Sequence, residues 1–441
     1  MSTGEAFRKV LESIKTVLFA LSAVFLTCFV AWAAGITVPE GSRLNIDAGE
    51  LHVEPDNEPG SIVNYGVIRT TTGTIRLNGD WAVYGSGVYE TGTGHVIFSG
   101  TAGTQTMITA PLVDSFYDLT HESTSILQIQ PANDPVNIAG TFRNLDGQFM
   151  ANAITMNVEG NWINLSTTSP SFIPGGNQVN LIGGDQEIQG ETTFYDLNKH
   201  LTSAQSYQLV FPSGLEQTVT HQLTLRGYDT DNLLALHKSA GVAQAMLNLE
   251  AAGSQDISFV DVWDNNASGR TLIARNSPDH SDFDTYHVTN WEFGDITITW
   301  DGAQDERWDN PFNWNLGVVP MSGDTVIIPY DDGGLPTPTP LPHQPVLNGD
   351  VTVTAVQIMA GASLTLDGHD MTVSGAVTNA GSIVLDGNET FTAGAMTDTG
   401  TFRYVGDAAG TLTDADIATN FIVGGTTLTT YNGLVVAEEN P

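Results

Sequence analysis

The chain has 441 residues, with 50 acidic against 14 basic side chains and a formal net charge of −36. That balance repels nucleic acid and anionic membrane surfaces. A hydrophobic content of 41 % with only 15 % charged residues excludes a disordered chain, and a single cysteine, Cys28, excludes a disulfide framework.

Residues 1–34 read as an export signal. Arg8, Lys9 and Lys15 precede an apolar run from Val17 to Ala34 that closes on Ala31-Trp32-Ala33, a small-residue pattern of the kind a signal peptidase cuts. The alternative is an uncleaved hydrophobic helix, because a run of about 18 apolar residues just spans a bilayer. Either way the expected location is extracellular or the cell surface by Sec-type export, with the membrane touched only through this segment. Cys28 lies inside the run, and Thr27 before it does not suit a lipoprotein cleavage site.

Residues 35–215 show self-similarity on two scales. Asn78-Gly79 and Ser99-Gly100 end two alternating strands, Thr74–Leu77 and His95–Phe98, about 21 residues apart. A longer period of about 80 residues overlies this one. Gly79-Asp80-Trp81 returns as Gly160-Asn161-Trp162, Val96-Ile97-Phe98 as Val179-Asn180-Leu181, and Phe116-Tyr117-Asp118-Leu119 as Phe194-Tyr195-Asp196-Leu197. Residues 216–295 continue the block, and only Leu233–Ala252 has helix-forming composition, interrupted by Gly241.

Residues 296–347 hold a tryptophan-rich module and the Pro/Thr stretch Gly333–Pro342, which reads as a loop thrown out of one coil. In residues 348–441 a glycine turn followed by an alternating strand recurs about every 19–20 residues. Its copies are Ser363-Leu364-Thr365-Leu366, Ser382-Ile383-Val384-Leu385 and Thr401-Phe402-Arg403-Tyr404. One such coil cannot bury its apolar face alone, so coils must stack. The expected fold is all-β, a right-handed parallel β-helix (β-solenoid) with coils of about 20 residues. A β-sandwich needs a longer repeat.

Two segments carry a resemblance. Trp300-Asp301-Gly302, Arg307-Trp308-Asp309, Asn313-Trp314, Val319-Pro320 and Gly323-Asp324-Thr325-Val326-Ile327-Ile328 resemble a module that opens β-solenoid blocks in bacterial secreted and cell-surface proteins. Those proteins include adhesins and autotransporter passengers. Phe259–Ala267 with Asn290-Trp291-Glu292-Phe293 is similar to segments that close such blocks. The resemblance implies export and architecture. No translocator barrel or sorting signal is recognisable before Pro441, which leaves autotransport unsupported.

Solenoids of this kind include polysaccharide lyases and hydrolases. A lyase needs an Arg or Lys base, and only eleven basic residues follow the signal, scattered singly. Hydrolases need paired carboxylates. Asp331-Asp332 sits beside the Pro-rich loop, whereas Asp229/Asp231 and Asp282/Asp284 each place two carboxylates on one strand face. Those last two pairs are the candidate calcium ligands, through oxygen atoms in turns, with solvated turn carboxylates as the plainer reading. No other cofactor is expected.

Trp300, Trp308 and Trp314 form the candidate glycan platform, the alternative being that they cap the solenoid core. Trp81 and Trp162, being periodic, read as structural. The expectation is thus a non-enzymatic, exported, acidic solenoid rod with a structural or adhesive role, meeting glycans or other surface and matrix proteins through many weak contacts. A carbohydrate-binding surface protein and a divergent polysaccharide lyase or hydrolase are the alternatives.

Overall fold

The computed structural model describes residues 35–405 apart from 55–58, 102, 109–114, 131–134, 282, 334–338 and 387–388, with six short strand fragments outside that range. Three fragments, Val17–Leu18, Val24–Leu26 and Phe29–Trp32, fall within the expected signal, and Phe29–Trp32 runs parallel to Gly49–Val53. The rest of residues 1–34, where a signal or hydrophobic helix was expected, lies outside the described residues.

Parallel strands stack turn upon turn into a β-solenoid of about 15 turns spaced about 23 residues apart. The spacing exceeds the sequence estimate of about 20 because turns differ in length. Along one column Leu119 pairs with Phe142, Phe142 with Trp162 and Trp162 with Ile188, so successive steps differ in length. Near the Pro/Thr stretch the step is longer still, Thr325–Ile328 pairing directly with Ala355–Ile358. Asp331 and Pro340 are bridged on either side of residues 334–338, the part of the stretch that lies outside the described residues.

The chain divides into two compact units. Unit 1 comprises residues 1–250, 257–269 and 280–290, and unit 2 comprises 251–256, 270–279 and 291–441. The boundary thus falls within the 216–295 segment, whose pieces alternate between the units.

In unit 1, strict alternation sends every second side chain inward. Val136, Ile138, Met156, Val158, Val179 and Leu197 are all fully buried, one above another across the ladder. An aromatic stack fills the middle of this core. Phe142 lies 4.4 Å from Trp162, and Phe149, Phe172 and Phe194 pack around them at 4.8–6.3 Å.

The 80-residue duplication is a duplication of hydrogen bonds. Trp81 and Trp162 are both fully buried. The side chain before each accepts a main-chain N–H one coil on, Asp80 from Thr106 at 2.7 Å and Asn161 from Glu187 at 2.9 Å. Buried Gln105 donates to the carbonyls of Leu77 and Gly79, and Gln186 donates to those of Val158 and Gly160. In a parallel solenoid each corner leaves backbone groups off the ladder, and a buried amide at a fixed place satisfies them. The Phe-Tyr-Asp-Leu motif works similarly. Phe and Leu point inward in both copies, and the Asp reaches the next coil, Asp118 to Arg143 at 3.3 Å and Asp196 to His221 at 2.7 Å.

Unit 2 repeats the architecture with an eight-stranded and a four-stranded sheet. Leu364, Ile383 and Phe402 stack in register in its core, as do Leu385 and Tyr404.

Candidate functional site

The three tryptophans proposed as a glycan platform are interior. Trp300 and Trp314 are 0 % exposed and Trp308 is 2 % exposed, so no ring face is presented to a sugar. Trp314 stands edge-on to both others, at 4.9 Å from Trp300 and 4.8 Å from Trp308. The indole N–H groups of Trp300 and Trp314 are spent on the carbonyls of His343 and Trp308, each at 2.9 Å. They belong to the core of unit 2 with Ile298, Val326 and Leu347.

The rest of the module explains this burial. Asn313 is fully buried, accepting from the main chain of Gln304 and Asp305 and donating to the Asp305 carboxylate and the Arg307 carbonyl. It thereby folds the 304–307 turn over the tryptophans. Gly302 has φ +58°, and a Cβ there would lie 2.3 Å from the His343 carbonyl, so only glycine lets the two segments meet. The module is a folding element that seats three large rings in the first coil of the eight-stranded sheet.

The acidic candidates separate. Asp229 closes a tight turn, its Oδ1 accepting from the main chain of Asp231 and Asn232 at 2.9 Å each and from the Asn232 side chain at 2.8 Å. Those bonds, the Asn232 amide first, outweigh desolvation and hold its carboxyl below the usual carboxylate range. Asp231 is exposed beside it. Asp282 and the side chain of Asp284 lie outside the described residues. Among the described residues no group of three or more His, Cys, Asp and Glu side chains is placed to hold a metal ion.

Two polar constellations lie outside the residues singled out in the sequence. The first lies on the outward face of the Gly49–Val53 strand. His52 sits between two carboxylates, 3.2 Å from Glu50 and 3.0 Å from Glu54, and Arg76 on the next coil joins Glu50 to Glu122. Burial alone would raise the Glu50 carboxyl. The Arg76 hydrogen bond and the charge and hydrogen bond of His52 outweigh it, so Glu50 ionises more readily than usual. Ser99 donates to Glu54 and not to His52, so no nucleophile–base contact arises. The spacing Glu-x-His-x-Glu marks one strand face, yet only the register with Arg76 turns it into a network.

The second constellation is internal. His121 is fully buried, 2.9 Å from Asn144 and 3.3 Å from Ser125, while Ser123 and Ser125 lie 2.6 Å apart. Desolvation lowers the His121 pKa and favours neutral imidazole. These groups resemble a hydrolytic triad in type, but their burial leaves no room for a substrate. They satisfy the backbone at an irregular corner, where the Asp118–Ile129 and Phe142–Met150 strands shift register.

Two outward features of unit 1 remain. Asn137, Asn157, Asn180 and Asn198 form a continuous amide ladder on four successive coils, each donating to the one before at 2.7–2.9 Å. A ring cluster of partly buried His237, Trp263 and Tyr286, backed by buried His280, lies on the last coils of the unit. A scan against protein-family models finds no match to this chain, and searches of curated proteins and of solved structures find none either.

Proposed function

We propose that this is an exported, non-enzymatic structural or adhesive protein of a bacterial cell surface, whose acidic solenoid faces make many weak contacts. The observation that carries the reading is the Asn137–Asn157–Asn180–Asn198 ladder. The interior amides, Asn157 and Asn180, each use one N–H and one carbonyl lone pair along the row, leaving a second donor and acceptor for outside partners. Repetition at the strand spacing of about 4.7–4.9 Å presents the same weak contact again and again. Such a surface gains strength by avidity rather than by a deep pocket. The basic start and the Ala31-Trp32-Ala33 site support export.

The test is expression in a bacterial host, fractionation, and N-terminal sequencing of the recovered protein. The expected result is surface or medium protein beginning near Ala34. Beads coated densely with it should hold to extracellular matrix or cells far better than sparsely coated beads. Retention in the cytoplasm would sink the export reading, and density-independent failure to adhere would sink the adhesive one.

Carbohydrate binding remains the second reading. With Trp300, Trp308 and Trp314 buried, it needs a different site.

A further inference from the structure

We propose that Trp263 and Tyr286 form a saccharide-binding corner in unit 1 that takes a neutral hexose ring of a glycan. The proposal rests on the adhesive reading above and narrows it to one site and one ligand class.

Trp263 stands apart from the other tryptophans. Trp81, Trp162, Trp300 and Trp314 are fully buried, and Trp308 and Trp291 nearly so. Among the described residues Trp263 alone keeps an indole partly in solvent. It follows the strand Val260–Val262, whose two valines point into the core, and its register neighbour one coil earlier is His237, stacked 6.0 Å away. Tyr286 meets it at 4.5 Å and 68°, so the two rings form adjoining walls rather than a closed stack.

Both walls are held from behind. The indole N–H donates to Asp261 at 2.9 Å, which fixes the ring plane. Tyr286 stacks on His280 at 3.7 Å and 6°, and His280 is itself bonded to the Val262 carbonyl at 3.0 Å. The main chain adds a clamp, Asp264 N–H to Tyr286 carbonyl at 2.8 Å. Surface rings braced by hydrogen bonds lose little freedom on meeting a ligand, which is the physical signature of a binding surface.

Beside the rings lies a polar group that can read hydroxyls. Asp264 joins Lys238 at 3.2 Å and His287 at 3.1 Å, and the His287 side chain is half exposed. Asp264 and His287 both hold left-handed backbone, φ 52° and 50°, which places their side chains together at this corner. Donors and acceptors beside an aromatic wall suit a pyranose, with an apolar face for the ring and hydroxyls at its rim. The charge chooses among sugars. Asp261 and Asp264 flank the rings in a protein of net charge −36, so uronates and sulfated sugars are disfavoured.

The experiment titrates the full chain with cellotetraose, chitotetraose and maltotetraose, and with tetragalacturonate as the anionic control. Binding is read by saturation-transfer NMR on the sugar and by tryptophan fluorescence. The expected result is binding of at least one neutral tetrasaccharide, none of the uronate, and about tenfold weaker binding in Trp263→Ala. Trp263→Phe should recover part of it, while Tyr65→Ser, an exposed ring many coils earlier in unit 1, should leave it unchanged. Should Trp263→Ala unfold by circular dichroism, Lys238→Met and Tyr286→Leu give the same reading from the rim. Silence toward all three neutral sugars overturns the site, as does undiminished binding in the folded variants. If coated beads still adhere while the sugars are silent, the site fails and the adhesive reading stands. Sugar binding without adhesion does the reverse.

Discussion

The guanidinium of Arg275 grips the carboxylate of Asp324 with two hydrogen bonds, Nη1 to Oδ1 at 2.5 Å and Nη2 to Oδ2 at 2.7 Å, across 49 residues of sequence. Asp324 is fully buried and also accepts from the main chain of Ile296 and Met321 at 3.0 and 2.8 Å. This is the physical content of the Gly-Asp-x-Val-x-Ile pattern: the Asp ties three segments of unit 2 to the start of a strand.

Removing one partner of such a pair strands a buried charge. Arg275→Met and Asp324→Asn should each cost on the order of 3–5 kcal/mol. Urea unfolding followed by tryptophan fluorescence reads this, since Trp300, Trp308 and Trp314 share that core. A loss below about 1 kcal/mol in both variants would mean the pair does not hold the unit together.

The amide ladder should behave as a row of coupled bonds. Asn157 gives one bond to Asn137 and takes one from Asn180, both 2.7 Å and half-buried. Asn157→Ala should cost roughly 1–2 kcal/mol, two net hydrogen bonds. Asn198→Ala, at the end of the row as described, should cost about half that, because its own side chain donates one ladder bond. Equal losses at the two positions would show that the ladder bonds do not set the cost of either substitution.

The tryptophan module should respond as core. Trp314→Ala removes a ring packed against two others and should cost about 3–5 kcal/mol. Trp314→Phe, which keeps a ring but loses the bond to the Trp308 carbonyl, should cost less. Thermal melts give the comparison. A well-folded Trp314→Ala variant of near-native stability would contradict the buried placement.

Lys199 offers a pH test. It is 1 % exposed, with its ammonium bonded to the carbonyls of Gly183 and Gly184 and to Gln186. Burial pulls its pKa from 10.5 down to about 8. Between those values the unfolded chain holds a proton that the folded chain has released, so stability rises with pH across that window. The gain is on the order of 3 kcal/mol and should vanish in Lys199→Met. Urea midpoints at pH 7.5, 9 and 10.5 for both proteins decide it, and parallel curves would refute the burial-driven shift.

The strand residues wrote much of this in the sequence. Alternation at Leu364, Ile383 and Phe402, glycines at the corners, and the paired Gly-x-Trp and Phe-Tyr-Asp-Leu motifs specify parallel coils, because a coil with one apolar face has no stable form except beside another. They also specify that Trp81 and Trp162 are interior. What residue types cannot state is which side of a corner faces solvent. Trp300, Trp308 and Trp314 admitted both a cap over the core and a glycan platform, and their burial decides for the core, with Asn313 fixing the 304–307 turn and Gly302 the approach to His343. Partners joined across coils were likewise hidden: Arg275 with Asp324, Arg76 with Glu50 and Glu122, and Tyr286 with Trp263 lie 23 to 49 residues apart. Such pairings depend on the length of every intervening turn, and those lengths vary around 23 residues. The sequence by itself determined the periodic core; only the register of the folded coils decided which polar and aromatic side chains meet on the surface.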